Sequence, residues 1–306
     1  MALLIIGTVA FDAIETPFGK TDKIVGGAAT FAGLSASYLY NKVRLISVVG
    51  EDFGQENMNI LRERSIDVSG IQVKKGEKSF FWSGKYQNDM NTRETKATEL
   101  NALATFDPLV PDNYQDASYV LLGNLTPSVQ STTLDRLERK PKLVVLDTMN
   151  FWMDVALPDL IDVLKRVDVL TINDEEARQL SGEYSLVKAA GKILKMGPKY
   201  LIIKKGEHGA LLFGEGQVFA APALPLAEVF DPTGAGDTFA GGFIGYLAKV
   251  GTINFNNMKN ALIVASAMAS FCVEKFGTER LQQLTASDIK GRIRQFVALS
   301  QFEMDY

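Results

Sequence analysis

Asp231-Pro232-Thr233-Gly234-Ala235-Gly236-Asp237-Thr238-Phe239 sets two glycines between two carboxylates, immediately ahead of an apolar pattern. Phe239, Ala240, Phe243, Ile244 and Leu247 recur at helical spacing, so the glycines fall where a helix begins. The first turn of a helix carries unpaired N–H groups and partial positive charge, which suits a phosphate. Gly234, Ala235 and Gly236 put no bulky side chain in the way of a ligand. Asp237 follows in the same turn as a carboxylate able to accept a proton. An anion cradle beside a base is the equipment for moving a phosphoryl group onto a hydroxyl. A helix start lowers the pKa of a carboxylate within it, so Asp237 is expected to be a weak base that works mainly by positioning.

Composition narrows the field around that turn. The 306 residues are 46% apolar and 22% charged, ordinary for a globular protein with a substantial core. A net charge of −4 argues against a nucleic-acid or anionic-membrane surface. Cys272 is the only cysteine, which excludes an internal disulfide and fits a reducing compartment. It lies in an apolar run and reads as a buried structural thiol. His208 is the only histidine, which sets aside histidine-based metal clusters and HExxH sites. No stretch reaches the roughly 20 apolar residues of a membrane span. Met1–Ile6 has no basic flank and reads as a first strand, so a cytoplasmic location is expected.

Strand-like runs and amphipathic stretches alternate along most of the chain. Ala2–Ile6, Arg44–Val49, Tyr119–Leu122, Leu143–Leu146, Val167–Thr171 and Tyr200–Lys204 read as strands. Ala28–Tyr40, Gly54–Arg64, Ser128–Arg139 and Glu175–Leu180 read as helices between them. This rhythm implies an α/β fold with a mostly parallel sheet covered on both faces. Ala13–Ile24 and Ile71–Leu103 break it with more polar sequence, and Phe80–Tyr86 adds alternating aromatics. Residues 1–306 are therefore read as one domain carrying a small β lid formed by segments 13–24 and 71–103.

The full string D-x-T-G-A-G-D-T-F resembles the C-terminal signature of the ribokinase-like, phosphofructokinase-B (PfkB) family of carbohydrate kinases. The resemblance covers essentially the whole chain. It implies a three-layer α/β/α sandwich with a β lid, and ATP-dependent transfer of the γ-phosphoryl group to a small sugar-like substrate. Asp237 would be the base, with Gly234, Ala235 and Gly236 as the anion hole. Asp12, ending the opening strand segment, resembles the carboxylate that binds substrate hydroxyls, and Gly26-Gly27 resembles the glycine pair against which substrate packs. Asn173 and Glu176 match an N-x-x-E motif that holds magnesium through water. Lys204, Gly206 and Gly209 resemble the nucleotide-side loop, and Ser266 falls where the family lines its adenine pocket. Thr233 is placed with the nucleotide contacts, and together with Asp231 it matches positions that bind a monovalent cation in some relatives. No Walker-type phosphate loop is present.

The substrate side departs from the family pattern. Phe31 stands where furanose-binding members carry Asn, Thr30 is the nearest polar side chain, and Ala10 replaces a second Asn. Phe31 is expected to stack on a ring of the acceptor, and Asn124 to supply a replacement contact. A sugar, a cyclitol or a nucleoside therefore remain alternatives, with a nucleoside kinase as the rival within the same chemistry. A non-catalytic ligand-binding regulator is the rival from another class. Exposed lid edges are the expected place for a homodimer contact.

Overall fold

The computed structural model describes residues 1–301 and 303–304. In chain order its strands are β1 (Ala2–Ile6), β2 (Ala10–Thr16), β3 (Gly19–Lys20), β4 (Ile24–Gly26) and β5 (Val43–Gly50). There follow β6 (Asp67–Lys74), β7 (Phe81–Tyr86), β8 (Arg93–Glu99), β9 (Ala117–Leu122) and β10 (Leu143–Asp147). The last four are β11 (Val169–Asn173), β12 (Tyr200–Lys204), β13 (Ala210–Gly214) and β14 (Gln217–Ala221). Nine of them form one sheet in the order β14-β13-β12-β11-β10-β9-β1-β5-β6. All neighbours from β12 to β6 are parallel, and the β13 and β14 pairings are antiparallel.

Both faces of this sheet are covered, as the unbroken burial of β1 and β10 requires. Successive residues of a strand point to opposite faces. Leu3, Ile5, Tyr119, Leu121, Val145, Val169 and Ile202 pack on one side, with helices Ala28–Ser37, Ala235–Val250 and Phe255–Cys272. Leu4, Ile6, Val120, Leu122, Leu146, Leu170 and Ile203 pack on the other, with Leu157–Leu164, Asp174–Ser181 and Leu186–Ile193. The result is a three-layer α/β/α sandwich.

β1 lies inside the sheet, with β5 on one side and β9 on the other. The chain reverses its direction of growth there, and such sheets bind ligands at the carboxyl ends of strands near that reversal. A second, five-stranded sheet rises from that edge in the order β3-β2-β7-β8, with β4 paired to β2. Register places Asp12 beside Trp82 and Tyr86 beside Arg93, so these side chains share a face. On the opposite face Glu15 and Lys85 form an ion pair near solvent.

Two boundaries differ from the sequence reading. Ile71–Lys74, assigned there to the lid, end β6 in the central sheet, where Ile71 pairs with Ser47. β6 is an edge strand exposed on one side, so its polar alternation resembled the small sheet. The small sheet in turn begins at Ala10, before residue 13, and so includes Asp12. Among the described residues no helix is long and apolar enough to cross a membrane.

Candidate active site

Helix Ala235–Val250 starts on Gly234, whose φ of 74° lies in the left-handed region that favours glycine. Space enforces the same choice, since a Cβ on Gly234 would lie 2.4 Å from the Phe31 ring. Asp231, fully buried, braces the turn by accepting from Thr233 N and Gly277 N, each at 2.8 Å. The Thr233 hydroxyl donates to Tyr86 Oη at 3.1 Å, which ties the turn to the small sheet. Ala235 N–H is engaged by Pro232 O, and Thr238 N–H by Gly234 O. Among the described residues no backbone carbonyl takes the Gly236 or Asp237 N–H. Two donors without a backbone acceptor at the positive end of a helix form an anion cradle.

Asp237 stands in this turn, half-buried. Its carboxyl is pushed up to about 7, by burial first and by the Asp147 charge second, against the pull of Lys204 and its own N–H. The expected lowering by the helix start is thus outweighed, because desolvation favours the neutral acid more than the helix end favours the anion. A carboxyl near 7 can hold or release a proton at neutral pH.

The acceptor side is built on β2 and the helix that follows β4. Asp12 is buried, and its carboxylate lies against Gly26, where a Cβ would come 1.9 Å from Oδ2. Burial pushes the Asp12 carboxyl up to about 7, Asp231 and Asp237 add to the rise, and the Gly27 N–H opposes it. Helix Ala28–Ser37 is held at its start by Thr8, whose hydroxyl accepts from Ala28 N at 2.8 Å. It then packs directly on helix Ala235–Val250, where a Cβ on Gly241 would lie 2.2 Å from Ala32 O. Ser35 Oγ donates to Thr238 O at 2.7 Å across the same seam. The helix that starts beside Asp12 and the helix that carries the anion cradle are therefore packed directly together, while Asp12 itself stands on β2.

Two expected substrate contacts do not reach this cleft. Phe31 is 1% exposed and packs behind Gly234, so it has no free face on which a ring could stack. Thr30 is fully enclosed, and its hydroxyl has no hydrogen-bond partner. Their helix is buried on nearly every side, so spacing alone did not reveal which face meets a ligand. Asn124 follows β9 at the correct edge, with its amide held between Met149 Sδ at 3.1 Å and Trp152 Nε1 at 2.8 Å.

A third group of residues lies at the ends of β10, β11 and β12. Lys204 was expected with the nucleotide-side turn. Its Nζ donates to Asp147 Oδ1 at 2.8 Å, and lies 3.2 Å from where a Gly236 Cβ would stand. The reason is parity: Lys204 shares the face of Ile202, which helix Ala235–Val250 covers. Asn173 and Glu176 form a reciprocal capping box, with bonds of 2.7 Å in each direction. Burial pushes the Glu176 carboxyl up to about 7, with Lys204 as the main opposing charge. Burial works against the Lys204 charge, yet Asp147 and then Glu176 hold its pKa above the usual lysine value. Perturbed titration of this kind concentrates at functional sites.

Gly206 and Gly209 border a short exposed turn, and a Cβ on Gly206 would lie 3.1 Å from Asn91 of the β7–β8 turn. Ser266 is half-buried on helix Phe255–Cys272. The small sheet also brings in residues that the sequence reading placed in the lid but did not assign to the site. Trp82 lies across Gly84, where a Cβ would meet the indole at 2.1 Å, and the Arg93 guanidinium sits 5.3 Å from the Trp82 ring. The Arg93 charge is felt at both Asp237 and Glu176. The Trp82-x-Gly84-x-Tyr86 alternation was the available signal.

The profile of the pfkB family carbohydrate kinases matches residues 4–284. A cytidine kinase from Thermococcus kodakarensis is 32% identical over 248 residues, which span 79% of this chain and 87% of the relative. Among solved structures, a nucleoside kinase from Methanocaldococcus jannaschii superposes with a TM-score of 0.77 at 22% identity, covering 96% of this chain and 99% of that one. An E. coli protein assigned as a ribokinase II, in complex with ATP and Mg2+, gives a TM-score of 0.79 at 20% identity, covering 96% and 99%. At these identities the two structural likenesses concern the fold.

Proposed function

The chain belongs to the pfkB family of carbohydrate kinases, and from that membership we propose that it transfers the γ-phosphoryl group of ATP to a sugar hydroxyl of a nucleoside. The observation that carries the transfer is the pair of Gly236 and Asp237 N–H groups, neither taken by a backbone carbonyl, directly beside the Asp237 carboxylate. In this reading the γ-phosphoryl group rests on those donors, while Asp237 orients the acceptor hydroxyl and takes its proton. ATP would lie along the Gly206–Gly209 turn toward Ser266.

Magnesium is the metal the family implies, and the residues present fit it. Asn173 and Glu176 offer oxygen as the metal-binding atom, and the single Asn173 side-chain oxygen and one Glu176 oxygen are already committed to the capping box. A hard cation that keeps much of its water shell suits such a site better than direct coordination would. Bound there through water, it would neutralise charge on the phosphates. The chain's own residues position and exclude: Thr233 holds Tyr86, and Asn91 approaches Gly206, so the small sheet meets both ends of the cleft. Shielding from water favours transfer to the acceptor over hydrolysis.

Trp82 supports a nucleoside acceptor, since it supplies an aromatic surface on the same face as Asp12. Asp12 would take the sugar hydroxyls and Trp82 the base. The cytidine kinase named above agrees with this assignment. A free sugar is the second reading, favoured by the close fit of Asp12 against Gly26, which asks only for hydroxyls. Steady-state phosphorylation of nucleosides and free sugars by wild type and Trp82→Ala separates them. Nucleoside KM is expected to rise about tenfold or more in the variant, as loss of one ring contact implies. An unchanged nucleoside KM, or turnover of free sugars only, would contradict the nucleoside assignment.

A further inference from the structure

Lys204 and Asp147 are 57 residues apart in sequence and meet only because β10 and β12 flank β11. Their ion pair is nearly closed to solvent, with side chains 19% and 9% exposed. An ammonium has three N–H donors. One is engaged by Asp147 at 2.8 Å, and among the described residues the other two have no hydrogen-bond acceptor. Thr171, the register partner of Asp147 on β11, is 1% exposed and its hydroxyl is also unpaired. The Thr171 hydroxyl is buried without a partner, and the part-exposed Lys204 ammonium has two N–H groups left for a ligand that accepts hydrogen bonds. The direction of Lys204 identifies that ligand. Its Nζ stands 3.2 Å from the Cβ position of Gly236, the residue whose N–H lines the anion cradle.

We propose that Lys204 is a catalytic residue whose two remaining N–H groups bind the phosphoryl group during transfer, and that Asp147 is the positioning residue that aims it. The inference rests on the phosphotransfer reading above. In the step itself the acceptor oxygen forms the new bond to phosphorus. The bond to the bridging oxygen of ADP breaks, and its electron pair stays with ADP. The acceptor proton passes to Asp237, and Lys204 keeps all its protons. Lys204 acts by charge and hydrogen bonds on the equatorial oxygens, where negative charge accumulates.

The test compares wild type, Lys204→Met, Asp147→Asn and the double variant, with the nucleoside that wild type phosphorylates best. Lys204→Met alone leaves Asp147 as a buried, unpaired charge, whereas the double variant removes both members of the pair; Glu176 and Asp237 then lose the Lys204 charge and are pushed further up, so the variants are compared at pH 8 or above. The double variant is expected to lose about 100-fold or more in kcat, with acceptor KM within about threefold of wild type. Asp147→Asn alone is expected to lose about tenfold in kcat, and that loss should vanish in the Lys204→Met background. A folded double variant with kcat within about threefold of wild type would overturn the role of Lys204. An Asp147 effect that persists without Lys204 would overturn the positioning role. Wild-type protein that phosphorylates no acceptor would instead remove the kinase reading and this inference with it.

Discussion

Replacing Asp12 with asparagine should yield a more stable protein and a poorer enzyme, with a pH dependence that identifies the cause. The folded carboxyl is pushed up to about 7 from an unfolded value of 3.8, chiefly by burial. Between those two values the native state holds a proton that the unfolded chain has lost, so stability falls as pH rises through this window. Above pH 7 the native protein carries the buried charge at a cost of about 4 kcal/mol, from about 1.4 kcal/mol for each unit of separation. Asparagine keeps the shape and can still accept from Gly27 N–H, but carries no charge. Urea titrations followed by the fluorescence of Trp82 and Trp152 would read the difference. Near pH 4 the two proteins should be equally stable; at pH 8 the variant should lead by roughly 4 kcal/mol, or about 8 °C in Tm. Acceptor KM should rise about tenfold or more, because a charged acceptor of hydroxyl hydrogen bonds becomes neutral. A gain of the same size at both pH values, or no gain at pH 8, would refute the burial argument for Asp12.

Asp237 must be ionised to take the acceptor proton, and its carboxyl lies near 7, so kcat/KM should fall steadily as pH drops below about 7. Asp12 titrates in the same range and repels the same charge, so the midpoint belongs to the group rather than to one residue. A profile flat from pH 6 to 8 would contradict this. Gly241→Ala forces a methyl group to within 2.2 Å of Ala32 O at the seam that joins acceptor side to cradle. It should destabilise the protein by about 1–3 kcal/mol and lower kcat/KM, since both halves of the site share that seam. An unchanged thermal transition would show that the helices can separate without penalty.

The parallel core of the sheet was legible because its strands are buried on both faces. β1, β9 and β10 therefore appear in the sequence as short unbroken apolar runs, with no competing pattern. β6 escaped the same reading because it is an edge strand, half-exposed like the small sheet it was grouped with. At the site, the Gly234–Asp237 turn was readable because all its parts are local: a left-handed glycine, a helix start and a carboxylate one turn long. Asp12 was expected at the end of the opening strand, but β1 stops at Ile6 and Asp12 lies within β2 of the small sheet, a break that the short polar link between the two strands did not reveal. The Asp147–Lys204 pair was not readable, since it depends on the register of three strands and on which face of β12 meets a helix. Phe31 failed for a related reason. Its position after the glycine pair is a fact of spacing, but the side on which Gly234 approaches is a fact of packing.

The most direct test of the account is the rate of ATP-dependent phosphorylation by Asp237→Asn, measured alongside wild type with the same nucleoside and with ATP binding measured separately. Asparagine keeps the turn and its two N–H groups without backbone acceptors but cannot take the acceptor proton. Turnover should fall by about 100-fold or more, the range for loss of a general base, while ATP binds as in wild type. Turnover within about threefold of wild type would mean that Asp237 is not the proton acceptor, and the mechanism built on the Asp231–Phe239 turn would not stand.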